Sequence, residues 1–239
     1  MTPFIVFLTI TALVAWMVVF IIWPSIRIIG PTEVGLVMKR FGNKLPTDNP
    51  IAFNGEAGYQ AELLMPGVRF KWWFLYKVEK FPWVQVSANE IGVLIAQVGK
   101  TLPAGAKSAR YKKEFGNFTD LTAFISNDGE KGVQRPVLAP GSLLPIHPVA
   151  FLIITKNKVF GLPISPDLHV RAGEDHRLTP ASFKLEPRQL DVFRVEPQRH
   201  EGSDEKLDVV GIVTTLEGEP LESGHIASRL GGFGDMEKL

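Results

Sequence analysis

The sequence predicts an α+β protein, mainly β, in which an N-terminal transmembrane helix precedes repeated β-rich units. Three observations carry this. Residues 4–23 form an uncharged run whose only polar side chains are Thr9 and Thr11. Beyond it, 22 glycines and 18 prolines punctuate short apolar and β-branched runs, the pattern of many strands and turns. One phrase also recurs: Glu33-Val34-Gly35-Leu36-Val37 with Gly42, Glu90-Ile91-Gly92-Val93-Leu94 with Gly99, and Val210-Gly211-Ile212-Val213 with Gly218. Self-similarity of this kind marks one supersecondary unit used again.

The anchor occupies residues 1–29. At about 1.5 Å per residue, a helix over 4–23 spans roughly 30 Å, the hydrocarbon thickness of a bilayer. Pro24 stops it. Trp23 lies where an interfacial aromatic belongs. A cleaved signal peptide is the competing reading, but no Lys or Arg precedes the run and no small-x-small site precedes Ser25. Arg27, Lys39, Arg40 and Lys44 follow the span, so the positive-inside rule places the body in the cytoplasm, anchored by a single pass in the cell membrane.

The first unit covers 30–88, with strands expected over 34–41, 68–78 and 83–86. The second covers 89–160, with strands over 91–98 and 147–155, the latter continuously apolar from Val149 to Ile154. The two share a second phrase. Gly55-Glu56-Ala57-Gly58-Tyr59-Gln60 precedes Leu64 and Pro66-Gly67, and Gly129-Glu130-Lys131-Gly132-Val133-Gln134 precedes Leu138 and Pro140-Gly141. Thirteen positions separate Gly42 from Gly55 and 30 separate Gly99 from Gly129, so the second unit holds an insertion of 17 residues. It is placed at 106–124 and expected to protrude as a loop with a helical turn, capped by Thr119-Asp120. Gly35, Gly42, Gly67, Gly92, Gly99 and Gly141 are assigned as structural turn positions; Gly67 and Gly141 follow proline, as in type II turns.

Residues 161–207 hold five prolines and many charges. Phe183-Lys184-Leu185-Glu186-Pro187 and Phe193-Arg194-Val195-Glu196-Pro197 echo each other, which reads as a half-exposed hairpin or as a solvated linker. Residues 208–239 form an incomplete third unit with an expected strand over 209–215. It has no Gly-Glu-x-Gly-x-Gln phrase, so the chain is expected to be a piece of a longer protein.

Function classes narrow from here. A net charge of +1 argues against a nucleic-acid binder. The absence of cysteine excludes disulfides, thiolate metal sites and a cysteine nucleophile. No H-E-x-x-H, G-x-S-x-G or P-loop occurs, and no catalytic, cofactor or metal residue is assigned. His147 sits between prolines beside an apolar strand and reads as a satisfied buried histidine. His176 and His200 lie beside carboxylates in sequence, which says little about geometry. Glu33 and Glu90 recur in register, but the third copy has Val209 there, so they read as turn or edge residues.

The aromatic and basic run Lys71-Trp72-Trp73-Phe74-Leu75-Tyr76-Lys77 is the strongest functional signal. Trp and Tyr favour the boundary between apolar and polar media, and lysine reaches lipid phosphates. The membrane-interface set is Trp23, Arg27, Lys71, Trp72, Trp73, Tyr76 and Lys77. A strand with aromatics inward and lysines outward is the other reading, and both stand at this point.

A membrane segment, then Glu33-Val34-Gly35-Leu36-Val37 with Arg40-Phe41-Gly42, then Met65-Pro66-Gly67-Val68-Arg69-Phe70-Lys71, resembles the start of the SPFH or band 7 superfamily of stomatins, prohibitins and flotillins. Arg69 stands where that family usually carries a histidine. The later copies resemble the extended band 7 proteins of bacteria. The resemblance implies a scaffold without catalytic residues or cofactors, which homo-oligomerises in its full-length form and organises membrane lipids or partner membrane proteins, proteases among them. The long Ala/Glu-rich helix through which such proteins assemble is missing here. Two other classes remain: a membrane-bound hydrolase using His147 or His176 with a carboxylate, and a peptide-binding module acting by strand addition.

Overall fold

A computed structural model describes residues 2–46, 49–171, 178–199, 206–212 and 223–224. It shows one long apolar helix followed by a body that is mostly β-sheet with a few short helices. In chain order the elements are α1 (Thr2–Ile22), β1 (Ile26–Ile29), β2 (Glu33–Lys39), β3 (Ile51–Ala52), β4 (Gly58–Leu64), β5 (Gly67–Phe70), β6 (Tyr76–Pro82), β7 (Val84–Gln85) and β8 (Val93–Ala96). A 3-10 turn (Lys113–Phe118) leads into α2 (Leu121–Ser126), β9 (Gly132–Val133), β10 (Leu143–Leu144), β11 (Phe151–Ile154), β12 (Val159–Phe160) and α3 (Pro166–Arg171). Two more 3-10 turns (Pro180–Phe183 and Pro187–Leu190) precede β13 (Gln198–Arg199) and β14 (Lys206–Leu207).

Two four-stranded sheets organise the body, in the orders β3-β4-β2-β6 and β12-β11-β8-β9. An inner strand of each follows a recurring glutamate, β2 starting at Glu33 and β8 starting three residues after Glu90, and the same contacts surround both. Glu33 accepts the Gly30 N–H at 3.1 Å, and Glu90 accepts the Ser87 N–H at 3.0 Å. Each carboxylate therefore fastens the turn before its strand. Gln60 Nε2 donates to the carbonyls of Glu56 and Gly58, and Gln134 Nε2 donates to those of Glu130 and Gly132. Ala57 N donates to Asn43 O, and Lys131 N donates to Lys100 O. Two-stranded pairs then form beside each sheet, β1 with β5 and β7 with β10.

The turn glycines divide into two kinds. Gly67, Gly99 and Gly141 take positive φ angles of 119°, 113° and 76°, which suit glycine alone. At Gly99 an added Cβ would also fall 2.2 Å from Gly129 O. Gly42 bends without a positive φ, and its Cβ would approach Ala57 N at 2.9 Å. Gly35 and Gly92 are not turns. Gly35 lies within β2 and Gly92 bridges Leu138 just before β8. A Cβ at either would press on the Cβ of the facing leucine, at 3.0 Å from Leu64 and 3.1 Å from Leu138, so close strand packing is what excludes a side chain.

Three other expectations are corrected. The strand over 68–78 is two strands, β5 and β6, parted by a turn at 71–75. The insertion does not protrude. Its 3-10 turn and α2 bury Phe115, Phe118, Leu121 and Phe124 in the main core. Asp120 caps α2 as expected, accepting the Ala123 N–H at 3.0 Å. Ring centroids lie 4.9 Å apart for Phe115 and Phe124, and 5.2 Å apart for Phe124 and Phe151 of β11. The two echoing phrases at 183–197 do not pair with each other; among the described residues of 161–207 the antiparallel pair is β13 with β14, Gln198 opposite Leu207 and Arg199 opposite Lys206. Pro180 and Pro187 occupy first positions of 3-10 turns, each closed by a reciprocal side-chain cap, Thr179 with Ser182 and Glu186 with Gln189. This segment docks through Leu190, whose carbonyl accepts the Ile91 N–H. Residues 209–212 are not in a strand, and 213–215, with most of the third copy, lie outside the described residues, as do His176 and His200.

Candidate membrane interface

The helix α1 lies in a stretch, Pro3–Ser25, of 23 residues with mean hydropathy 2.8, long and apolar enough to cross a membrane, and its most apolar part has no buried residue. A signal sequence shares those properties. Its end is fastened to the body through Ser25, which is fully buried. Ser25 Oγ donates to Ile21 O at 2.8 Å, closing the last turn of the helix. Ser25 O accepts the Lys71 N–H at 2.9 Å, and Ser25 Oγ accepts the Trp73 N–H at 3.3 Å. One small hydroxyl residue therefore ties the helix to the 71–75 turn.

Directly beyond it, β1 and β5 pair antiparallel with Ile26 opposite Phe70 and Ile28 opposite Val68. Opposed residues share a face, and alternate residues return to it. All four side chains therefore lie on one side, and all are exposed, Ile28 to 65% and Val68 to 71%. Trp23, Trp72, Trp73 and Phe74 continue this apolar surface, with Trp23 exposed to 77%. Trp72 holds the turn in shape, its ring centroid 5.0 Å from Phe70 and 5.7 Å from Phe74. An exposed apolar area of this extent needs a partner phase.

Arg27 and Arg69 face each other on the opposite side of the β1–β5 pair. Arg69 donates to the carbonyls of Met65 and Pro66, which spares it from facing Arg27 unpaired. Thus Trp23, Arg27, Lys71, Trp72 and Trp73 gather around the foot of α1. Tyr76 and Lys77 do not share the apolar face. Tyr76 packs half-buried against the small cluster of Ile29, Val37 and Leu64, and Lys77 pairs with Glu79 on the β6 surface. Sequence reading missed Ile26, Ile28, Val68 and Phe70. The signal was present as two apolar-arginine-apolar triplets, Ile26-Arg27-Ile28 and Val68-Arg69-Phe70.

His147 is buried, and its three hydrogen bonds go to backbone. Nδ1 accepts the N–H groups of Val149 and Ala150 at 3.2 and 3.1 Å, and Nε2 meets Gln60 O at 3.0 Å. Amide N–H groups only donate and a carbonyl only accepts, so the proton sits on Nε2. Burial pushes the imidazole pKa down to about 4. At Glu90, burial alone would raise the carboxyl, but hydrogen bonds from Ser87 and from the Lys156 N–H outweigh it and hold it below the usual range.

Comparisons with family models, with curated proteins and with solved structures find no match to this chain.

Proposed function

We propose that this chain is a membrane-anchored scaffold of the SPFH or band 7 type, held by α1 and lying with the β1–β5 face and the 71–75 turn against the cytoplasmic leaflet. The carrying observation is the continuity of exposed apolar surface from Trp23 through Ile26, Ile28, Val68 and Phe70. A transmembrane helix alone fixes the protein to the bilayer; a docked face fixes its orientation as well. Lys71, at the start of the 71–75 turn, complements lipid phosphates, while Arg27 and Arg69 stand on the opposite side of the β1–β5 pair. The scaffold part of the reading is supported by the resemblance at residues 33–42 and 65–71. In it, oligomers of the full-length protein organise lipids or partner membrane proteins.

The docked face has its own test. With residues 1–23 removed, the body still floats with phospholipid vesicles, and Ile28→Asp with Val68→Asp lowers the bound fraction about tenfold, because both side chains must otherwise leave the apolar layer charged. Equal flotation of the parent and the double variant, with unchanged circular dichroism, would remove the docked face. Scaffolding is tested separately by purifying the full-length product from native membranes and measuring its size and companions. A monodisperse monomer without companions counts against it.

A further inference from the structure

A cleft of about 510 Å³ opens on the first sheet between β4, the β5–β6 turn and α2. Its charged lining is Lys71 and Glu62, with Gln60, Asn54, Tyr76 and Ser126 around them. Lys71 Nζ lies 3.7 Å from Glu62 Oε2 and 5.4 Å from the centre of the Tyr76 ring. A charge-assisted hydrogen bond between such groups is about 2.7–2.9 Å long, so this pair is open. Among the described residues neither side chain has another hydrogen-bond partner. An ammonium has three donors and a carboxylate about four acceptor sites, so most of the capacity of both is unspent. The Glu62 side chain is 77% exposed, so its charge faces whatever enters.

A second cavity adjoins the first along the chain. Trp73, two residues from Lys71, lines an apolar groove of about 390 Å³ with Val19, Phe20, Trp23 and Pro24 at the end of α1. Two residues of chain span at most about 7 Å. A polar cleft carrying one positive and one negative charge thus lies within a molecule's length of an apolar groove on the anchor helix. An amphiphile with a zwitterionic head complements both.

We infer that the cleft binds the headgroup of a phosphatidylethanolamine-like phospholipid, and that the groove takes part of one of its acyl chains. The phosphate sits on the Lys71 ammonium. The lipid ammonium sits on the exposed Glu62 carboxylate, while Lys71 keeps its place over the Tyr76 ring. An anionic headgroup without an ammonium would satisfy Lys71 but leave Glu62 opposing it. The assignment rests on the membrane reading of α1 and names the lipid that this reading leaves open. Phosphoethanolamine chemistry also exists in soluble form; the adjoining apolar groove assigns the cleft to the lipid.

The test uses the full chain in mild detergent, offered equal amounts of phosphatidylethanolamine and phosphatidylglycerol, with retained lipid read by native mass spectrometry. Phosphatidylethanolamine is retained about tenfold over phosphatidylglycerol, the scale of one charge-assisted hydrogen bond. Lys71→Ala loses the retained lipid. Glu62→Lys, at an exposed side chain that folding does not need, reverses the preference toward phosphatidylglycerol, which a merely structural role for Glu62 would not do. Equal retention of the two lipids, or an unchanged preference in Glu62→Lys, overturns the assignment. Soluble phosphoethanolamine binding as tightly as the lipid also overturns it, in favour of a free phosphate ester. Failure of the full chain to enter phosphatidylcholine nanodiscs overturns the membrane reading itself, whereas entry without headgroup preference overturns the cleft alone.

Discussion

Replacing Phe124 by alanine destabilises the body by about 3–5 kcal/mol, the range for a fully buried phenylalanine whose cavity cannot close. The ring is fully buried and meets Phe115, Phe118 and Phe151. The neighbouring backbone is shaped to it. A Cβ on Gly129 would fall 2.5 Å from the Phe124 ring, and Asn117 and Phe118 take left-handed φ angles of 54° and 62° on the path that brings Phe118 inward. Left-handed backbone is costly for a bulky residue, and burial of the ring offsets that cost. Surrounding rings so held have little freedom to collapse into the gap. The measurement is the urea midpoint of the full chain in detergent, with Thr122→Ala, at a position outside the aromatic cluster, as a reference near ±0.5 kcal/mol. A change below about 1 kcal/mol at Phe124 would return the insertion to a protruding loop.

The insertion shows where sequence reading stopped and why. A segment present in one copy and absent from the other invites the reading of a surface excursion. Its own pattern says otherwise: Phe115, Phe118, Leu121 and Phe124 recur every third residue, an apolar stripe that marks a buried face. The glutamate and glutamine of the repeated phrases were legible as residues, but not as contacts. Glu33 and Glu90 closing their own turns is a matter of backbone geometry, and so is the place of Gly35 and Gly92 inside strand packing. Trp72 and Trp73 stood out in the sequence as part of an aromatic run flanked by Lys71 and Lys77, and the structure exposes both. Their turn did not stand out, since nothing in residues 71–75 is a glycine or proline. The apolar face of β1 and β5 needed the register, because only pairing places Ile26 and Ile28 beside Phe70 and Val68.

Lowering the pH from 7.5 to 5.0 weakens the fold by about 2 kcal/mol through His147. The imidazole is held neutral by burial, with its folded pKa pushed down to about 4 from an ordinary value near 6.5. Because the folded value is the lower one, the unfolded chain takes up the proton first as pH falls. The contribution is therefore complete above about pH 6.5, declines below it, and is fully lost below about pH 4. The limit is about 2.5 pKa units at 1.36 kcal/mol each, or roughly 3 kcal/mol. Geometry supplies the reason. Protonation would place a hydrogen on Nδ1, where the N–H groups of Val149 and Ala150 already point at 3.2 and 3.1 Å. Hydrogen bonds hold the Glu90 carboxyl below its usual range, so its contribution is lost only as the pH falls through and below that range. Urea midpoints at the two pH values measure the slope, and His147→Gln, neutral throughout, flattens it between pH 7.5 and 5.0. A parent chain equally stable at both would mean that the imidazole is not held neutral. The bond from Nε2 to Gln60 O joins the approach to β11 in the second sheet to β4 in the first. Protonation leaves Nε2–H donating to Gln60 O but sets an Nδ1–H against the Val149 and Ala150 N–H groups, so hydrogen exchange at residues 147–155 should rise before the centre of β2 opens.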